Sequence, residues 1–446
     1  MDLQRLKDFF IEEALPKWAV AAYDERHGQF MESLKLDGTP ETTGIVRTRT
    51  AARLIYVYAH ATVLGVAPAG SLQKAERAFA NLHRVTWNAG ARPGYARAFN
   101  RLTDAVTDPE RDLYDNACVL LALAWLLKAT GRRRYREQIE AAIAAIDQTL
   151  GNPGGGWAED SLGTLPRRQN PHMHYLEASL ALCETGGNAD CRQMADRLLT
   201  LFHARFFDGA AGPLRESFGP LWEVADRYRS DRLEPGHMCE WVWLVRRHAV
   251  LTGQKDSPLC AALLATGLAV GRFEGSIFLL DEVLADGTPL SSHRRLWPQV
   301  EMLKAFLMQH RALGDEAHRL EAEAVAAALF ASYFSEAPAG CWHDALDLEG
   351  KPVAKTIPAS SLYHLWTAVA ELLDKTDAHR LSVEDEALRL GIVTVRPSRL
   401  PAVVDIGAGW TRSRIRVEWA APSIFPPAGS RTGKRSGKSA SSAYFE

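Results

Sequence analysis

The chain is 446 residues long, 47% hydrophobic and 24% charged, with a formal net charge of −2. This is the composition of an ordinary soluble globular protein, and its interspersed signs argue against a nucleic-acid partner, which selects a basic face. No uncharged apolar run approaches ~18 residues, so no membrane-spanning helix is expected.

The start, Met1-Asp2-Leu3-Gln4-Arg5-Leu6-Lys7, is amphipathic and unlike a signal peptide. It opens a helix over about 3–20. Six apolar segments follow, at 44–64, 114–130, 172–185, 237–252, 294–313 and 360–374. They are apolar on most sides, as helices buried all round must be. Each ends in a stop signal: Gly65, Gly131, Gly186, Gly253, Gly314, and Lys375-Thr376 for the last. Segments 71–88, 133–149, 189–206, 256–272 and 316–334 carry charges opposite an apolar stripe, the pattern of a layer wetted on one side.

The unit repeats every ~55–70 residues. Six inner and six outer helices describe an all-α (α/α)6 barrel. An open solenoid would need end repeats with polar outer faces, and none is evident. The outer-to-inner connections, 21–43, 89–113, 150–171, 207–236, 273–293 and 335–359, carry hairpin signals such as Asp37-Gly38, Asp286-Gly287 and Glu349-Gly350. Loops this long are usually functional, and all six enter inner helices at their amino ends. Short β-hairpins are therefore expected at one end of the barrel, around a single mouth.

A single catalytic domain is expected over 1–390. The remainder, 391–446, is a basic Pro/Gly/Ser-rich tail, with nine Lys/Arg against three acids in 396–446, and reads as disordered. The six cysteines lack paired C-x-x-C spacing, and Cys118, Cys183 and Cys239 fall in apolar helices. A reduced, cytoplasmic protein without a disulfide framework is expected.

The candidate chemical groups recur once per repeat: Arg53, Tyr114, His174, His237, Glu301 and His364. His174 and Glu177, like His237 and Glu240, stand at i and i+3 on one helix face, where a carboxylate raises the basicity of its histidine. Arg53 lies in an apolar helix and needs Glu177, Glu240, Glu301 or a ligand oxygen as partner. Glu-x-x-His pairs build dinuclear metal sites, but here the order is reversed and no third ligand set is obvious, so no metal is expected. Trp297 and Trp342, with Trp157, Trp222 and Trp241, lie near loop ends or helix starts. Aromatic rings with Arg, Glu, His and Asn170 at one mouth suit a sugar. Arg227, Arg229 and Arg232 precede His237 and could hold a phosphate.

These motifs resemble those of the N-acylglucosamine 2-epimerase superfamily. The likeness rests on Arg53-Leu54-Ile55-Tyr56, Asn170-Pro171-His172-Met173-His174-Tyr175-Leu176-Glu177-Ala178, Gly236-His237-Met238-Cys239-Glu240-Trp241, Leu296-Trp297-Pro298-Gln299-Val300-Glu301 and Ile357-Pro358-Ala359-Ser360-Ser361-Leu362-Tyr363-His364. The resemblance implies chemistry on a reducing sugar without metal or cofactor. It implies that His237 and His364 exchange the substrate proton, that Arg53 binds sugar oxygens, and that His174, Glu177, Glu240, Trp297 and Glu301 line the pocket. Tyr363-His364-Leu365-Trp366 departs from the epimerase branches and looks like the aldose–ketose isomerases acting on mannose or lyxose. The expected partner is a free monosaccharide, with neither nucleic acid nor membrane, for a monomer or homo-oligomer. A 2-epimerase, a glycoside hydrolase using two of Glu177, Glu240 and Glu301, and a non-catalytic sugar binder are the alternatives.

Overall fold

The structure is a computed structural model that describes residues 1–207, 213–253, 258–273 and 275–374. The expected boundary near 390, the basic tail and the stop at Lys375-Thr376 lie outside the described residues.

Two layers of helix form because two kinds of sequence alternate. In Leu113–Thr130, 14 of 18 residues are buried. In the next helix, Arg133–Leu150, six of 18 are buried, all on one stripe. The inner helices are Thr48–Val63, Leu113–Thr130, Gln169–Thr185, Pro235–Thr252, Leu296–Leu313 and Ala359–Leu373. Each packs on the next, and the last packs on the first. The ring is closed, and the solenoid alternative falls. Ser71–Thr86, Arg133–Leu150, Cys191–Leu201, Leu259–Gly271 and Glu316–Ala331 each back the inner helix they follow. The amino-terminal helix runs through Asp2–Asp8, a π-helical Phe9–Ala14 and Leu15–Ala21. It closes the outer layer against Glu316–Ala331. The glycine stops hold: Gly131 caps its helix at φ +65 and Gly314 at φ +67, a conformation that costs a Cβ-free residue nothing.

Inner helices start a few residues away from the expected positions. Residues 45–47 and 294–295, expected as helix, are the strands Ile45–Arg47 and Arg294–Arg295. These belong to a belt of short antiparallel links joining successive mouth loops. Ile45–Arg47 pairs with Ala98–Asn100, Arg167–Arg168 with Ser217–Phe218, Arg232–Leu233 with Val283–Leu284, and Arg294–Arg295 with Ala345–Leu346. Thr356–Pro358 closes the circle on Ser33–Lys35. Three inner helices enter from this belt through one device. A loop acid binds both the backbone N–H and the guanidinium of the arginine just before the helix. Glu32 does this for Arg47, Glu159 for Arg168, and Asp281 for Arg295.

One expectation needs correction. Cys183 is not a free thiol: it is bridged to Cys191, their Cα atoms 5.4 Å apart. The tight turn at Gly186 brings the end of one helix beside the start of the next, within disulfide reach. Cys118, Cys239, Cys260 and Cys341 are unpaired and buried. Leu113–Thr130 alone among the described helices is long and apolar enough to cross a membrane, though Asp115 and Lys128 interrupt its apolar run. Packed inside the ring, it is a core helix.

Candidate active site

Because all six inner helices begin at the belt, equal positions along them lie at equal depth. Counted from each first residue, the sixth positions are Arg53, Cys118, His174, Glu240, Glu301 and His364. One turn nearer the mouth stand Tyr114, Asn170, His237 and Trp297. A cavity of ≈ 310 Å³ opens here, of a size that holds a small ligand, and Arg53, Tyr114, Asn170, His174, His237, Glu240, Trp297 and His364 all line it. Trp297 sits between the two distant histidines, its ring centroid 5.0 Å from that of His237 and 5.4 Å from that of His364.

The two histidines are set up oppositely. His237 Nδ1 meets Glu216 Oε2 at 2.9 Å, with Glu234 at 3.9 Å. Burial alone would lower its pKa, but Glu216 and Glu234 outweigh burial and raise it to about 9. Asn170 lies 2.8 Å from His237 Nε2, and its Oδ1 otherwise lacks a partner. With Nε2 protonated, the amide turns Oδ1 toward the imidazolium and both needs are met. His364 Nδ1 meets Glu301 Oε1 at 2.7 Å. Here burial wins over Glu301, with Arg53 and Lys304 adding repulsion, and the pKa falls to about 4. A neutral His364 donates Nδ1–H to Glu301 and leaves the Nε2 lone pair for the cavity.

Arg53 meets no carboxylate. Its Nη2 donates to Tyr114 Oη at 2.6 Å and approaches His174 Nε2 at 3.3 Å, and the guanidinium lies 4.2 Å over the Tyr363 ring. His174 holds Glu177 at 3.0 Å, as their spacing predicts. The parallel expectation for His237 and Glu240 fails: the acid on His237 comes from a loop, 21 residues upstream. Both oxygens of Glu240 are buried without a partner among the described residues, and burial, with the neighbouring Glu301 charge, raises its carboxyl. This favours the neutral acid, which has one O–H to offer the cavity.

Three expected site residues do not line the cavity. Glu177 and Glu301 stand behind His174 and His364. Trp342 is elsewhere, stacked on Trp18 at 5.1 Å. Trp157 and Trp241 are structural, their indole N–H groups held by Asp147 and Gln169. Arg227, Arg229 and Arg232 also fall outside the lining, with Arg232 bonded to Glu282 and Arg227 facing Glu223. Sequence reasoning missed Glu216, Glu234, Arg49 and Lys304. Two acid–histidine trios, Glu216/Glu234/His237 and Glu240/Glu301/His364, are compact enough to ligate a cation. In the second, the Lys304 ammonium already sits 2.7 Å from Glu301, where a metal would compete with it.

Comparisons with known proteins bear on the fold and the family. The N-acylglucosamine 2-epimerase (GlcNAc 2-epimerase) family profile matches residues 28–368. A mannose-6-phosphate isomerase of Rhizobium meliloti (strain 1021) is 31% identical over 387 residues, covering 81% of this chain and 94% of that protein. A D-mannose isomerase of Thermobifida fusca is 30% identical over 387 residues, covering 79% and 90%. The cellobiose 2-epimerase of Bacillus thermoamylovorans B4167 superposes with a TM-score of 0.74 at 18% identity, over 84% of this chain and 99% of that one. With a closed (α/α)6 ring and matching relatives along most of its length, the chain belongs to the N-acylglucosamine 2-epimerase family.

Proposed function

We propose that the protein is an aldose–ketose isomerase acting on a free aldose such as D-mannose or D-lyxose. The observation that carries this reading is one shared cavity holding two histidines in unlike surroundings, His237 between Glu216 and Glu234 and His364 against Glu301 alone, which drive their pKa values apart. A proton next to a sugar carbonyl needs a neutral base, and the oxygen that gathers charge needs a donor.

His364 Nε2 takes the C2 proton from the open-chain sugar. The freed electron pair forms the C1–C2 double bond, and the carbonyl electrons move to O1, which takes a proton from the His237 imidazolium. The enediol O2–H then returns its proton to His237, C2 becomes the carbonyl, and His364 delivers its proton to C1. Arg53 and the Glu240 O–H hold the sugar oxygens, and Trp297 offers a flat face. If His237 instead keeps its proton while Arg53 holds the charge on O1, and then delivers it to C2 from the opposite side, the epimer results, which keeps 2-epimerisation as the second reading.

The rim favours an unphosphorylated sugar. Arg47, Arg168 and Arg295 line the cavity, but each already holds a carboxylate. Among the described lining residues Arg49 and Arg53 have no ion pair: Arg49 lies 5.1 Å over the Tyr114 ring, while Arg53, one turn deeper, is taken up by Tyr114 and His174. At the rim a phosphate would find Arg49 alone, less than the clamp such dianions usually receive.

Incubating the protein with mannose, lyxose, glucose, N-acetylglucosamine and mannose 6-phosphate in deuterated water tests this. The expected result is ketose, labelled at C1 wherever the His364 proton exchanges with solvent before its return, formed from mannose or lyxose at least ~10-fold faster than from the phosphate ester, the difference one unmet charge-assisted contact makes. Activity is expected to survive exhaustive chelation. No ketose and no label from any aldose would remove the reading.

The charge states also fix a pH profile. kcat/KM should rise as His364 loses its proton, near about 4, and fall as His237 loses its proton, near about 9. Glu216→Gln removes the carboxylate that raises His237, so the alkaline limb should move to lower pH while the acid limb stays. An alkaline limb unmoved in that variant would detach His237 from it.

A further inference from the structure

The inner helices enclose a second chamber beyond the first. Their ninth positions are Tyr56, Leu121, Glu177, Trp243, Lys304 and Thr367. All but Lys304 line a cavity of ≈ 210 Å³ running through the carboxyl-terminal halves of the helices. Its walls are apolar and aromatic, with His60 stacked on Trp125 at 3.5 Å between centroids. Partly exposed Glu184 and Arg247 form an ion pair at its rim.

Two polar atoms in this chamber, Glu177 Oε1 and His60 Nε2, take no protein hydrogen bond among the described residues. Glu177 is only 5% exposed. Its Oε2 accepts Tyr363 Oη–H at 2.5 Å and His174 Nδ1–H at 3.0 Å, while Oε1 accepts nothing. The second is His60 Nε2, since the other ring nitrogen, Nδ1, already meets Tyr56 Oη at 3.1 Å. Trp366 Nε1 lies 3.2 Å from His60 Nδ1, and an indole N–H only donates, so Nδ1 is the acceptor and the proton is on Nε2.

The electrostatics invert those of the mouth. All six inner helices point their carboxyl ends here, which favours positive charge. Glu177, Glu184, Glu371 and Asp374 line the chamber against Arg247, with Arg311 also holding Glu371 at 2.7 Å. Burial holds the Glu177 carboxyl up at about 7, where an adjacent cation would fix its charge.

We propose that this rear chamber binds a small aromatic ammonium compound bearing a hydroxyl. The ammonium meets Glu177 Oε1, the ring lies among Trp125 and Trp243, and the hydroxyl accepts from His60 Nε2–H. Because Glu177 Oε2 holds His174 and Tyr363, occupancy changes how the sugar is bound. That regulatory half rests on the isomerase reading; the binding half does not.

Calorimetric titration of the full chain with phenylethanolamine, and with its uncharged isostere styrene glycol, tests the site. The amine is expected to bind at least ~10-fold tighter, the worth of one charge-assisted hydrogen bond. Ala181→Leu fills the chamber and should abolish binding, and Ala370→Leu serves if that variant does not fold. With mannose as substrate, the amine should shift KM in the wild type and not in the filled variants. Absent binding, equal binding of the glycol, or binding that survives filling would overturn the site. An unmoved KM despite binding would overturn the regulation. Binding intact without isomerase activity would remove only the activity reading, and turnover intact without binding would remove only the chamber.

Discussion

His364→Ala lowers turnover on the aldose by ~10²–10⁴-fold, the usual worth of a positioned acid–base group, and leaves the fold standing. The fold survives because the residue behind it keeps its charge partner: Glu301 loses one hydrogen bond but retains the Lys304 ammonium at 2.7 Å. His237→Ala should cost a similar factor in turnover yet behave differently in the melt. There the imidazolium is the cation between Glu216 and Glu234, and its removal leaves a buried and a half-buried carboxylate facing each other. The thermal midpoint should therefore fall for His237→Ala and hold for His364→Ala. The sign follows from linkage. The His237 pKa is raised in the folded state, so its stabilisation is full below the unfolded value of 6.5 and is lost as pH climbs through about 9. The gap between the two variants in the melt should accordingly narrow at high pH. Steady-state rates with mannose and melting curves at pH 7 and above decide it. Turnover close to wild type in either variant would take that histidine out of the reaction.

The helix ring was legible in the sequence because burial on all sides leaves a mark that burial on one side does not: compare Leu113–Thr130 with Arg133–Leu150. Local pairs were legible where the helix itself sets the distance, as for His174 and Glu177. Contacts made by loops were not. Glu216 reaches His237 only because Ser217–Phe218 is pinned to Arg167–Arg168. The acids that clamp Arg47, Arg168 and Arg295 lie 15, nine and 14 residues upstream, too irregular a spacing to betray a repeated device. Trp342 misled because an aromatic residue at a loop end looks the same whether it faces a ligand or stacks on Trp18. Lys304 stands at i+3 from Glu301 in an apolar helix, the same spacing that joins His174 to Glu177, so this pair too is legible in the sequence.

Lys304 is where the largest loss of stability is expected. It is wholly buried, with Nζ 2.7 Å from Glu301 Oε2, 3.0 Å from Thr367 Oγ1 and 3.6 Å from the centre of the Trp243 ring. Burial would push the Glu301 carboxyl up, but Lys304 and the His364 hydrogen bond bring it below its ordinary range. Lys304→Met keeps the length and the contact with Trp243 but strips the charge. An ionised Glu301 then stands in the core without its cation, and breaking such a pair costs about 3–5 kcal/mol. In urea this lowers the unfolding midpoint with little change in slope, since the buried surface is the same. Removing both charges together, in Lys304→Met with Glu301→Gln, should recover much of the stability, because a neutral pair of similar shape has no charge to desolvate. Activity should not recover in that double variant, since Gln at 301 offers His364 Nδ1–H an uncharged acceptor and fixes its ring less firmly. A midpoint that moves alike in the single and double variants would show that Lys304 acts through its packing on Trp243 and not through Glu301.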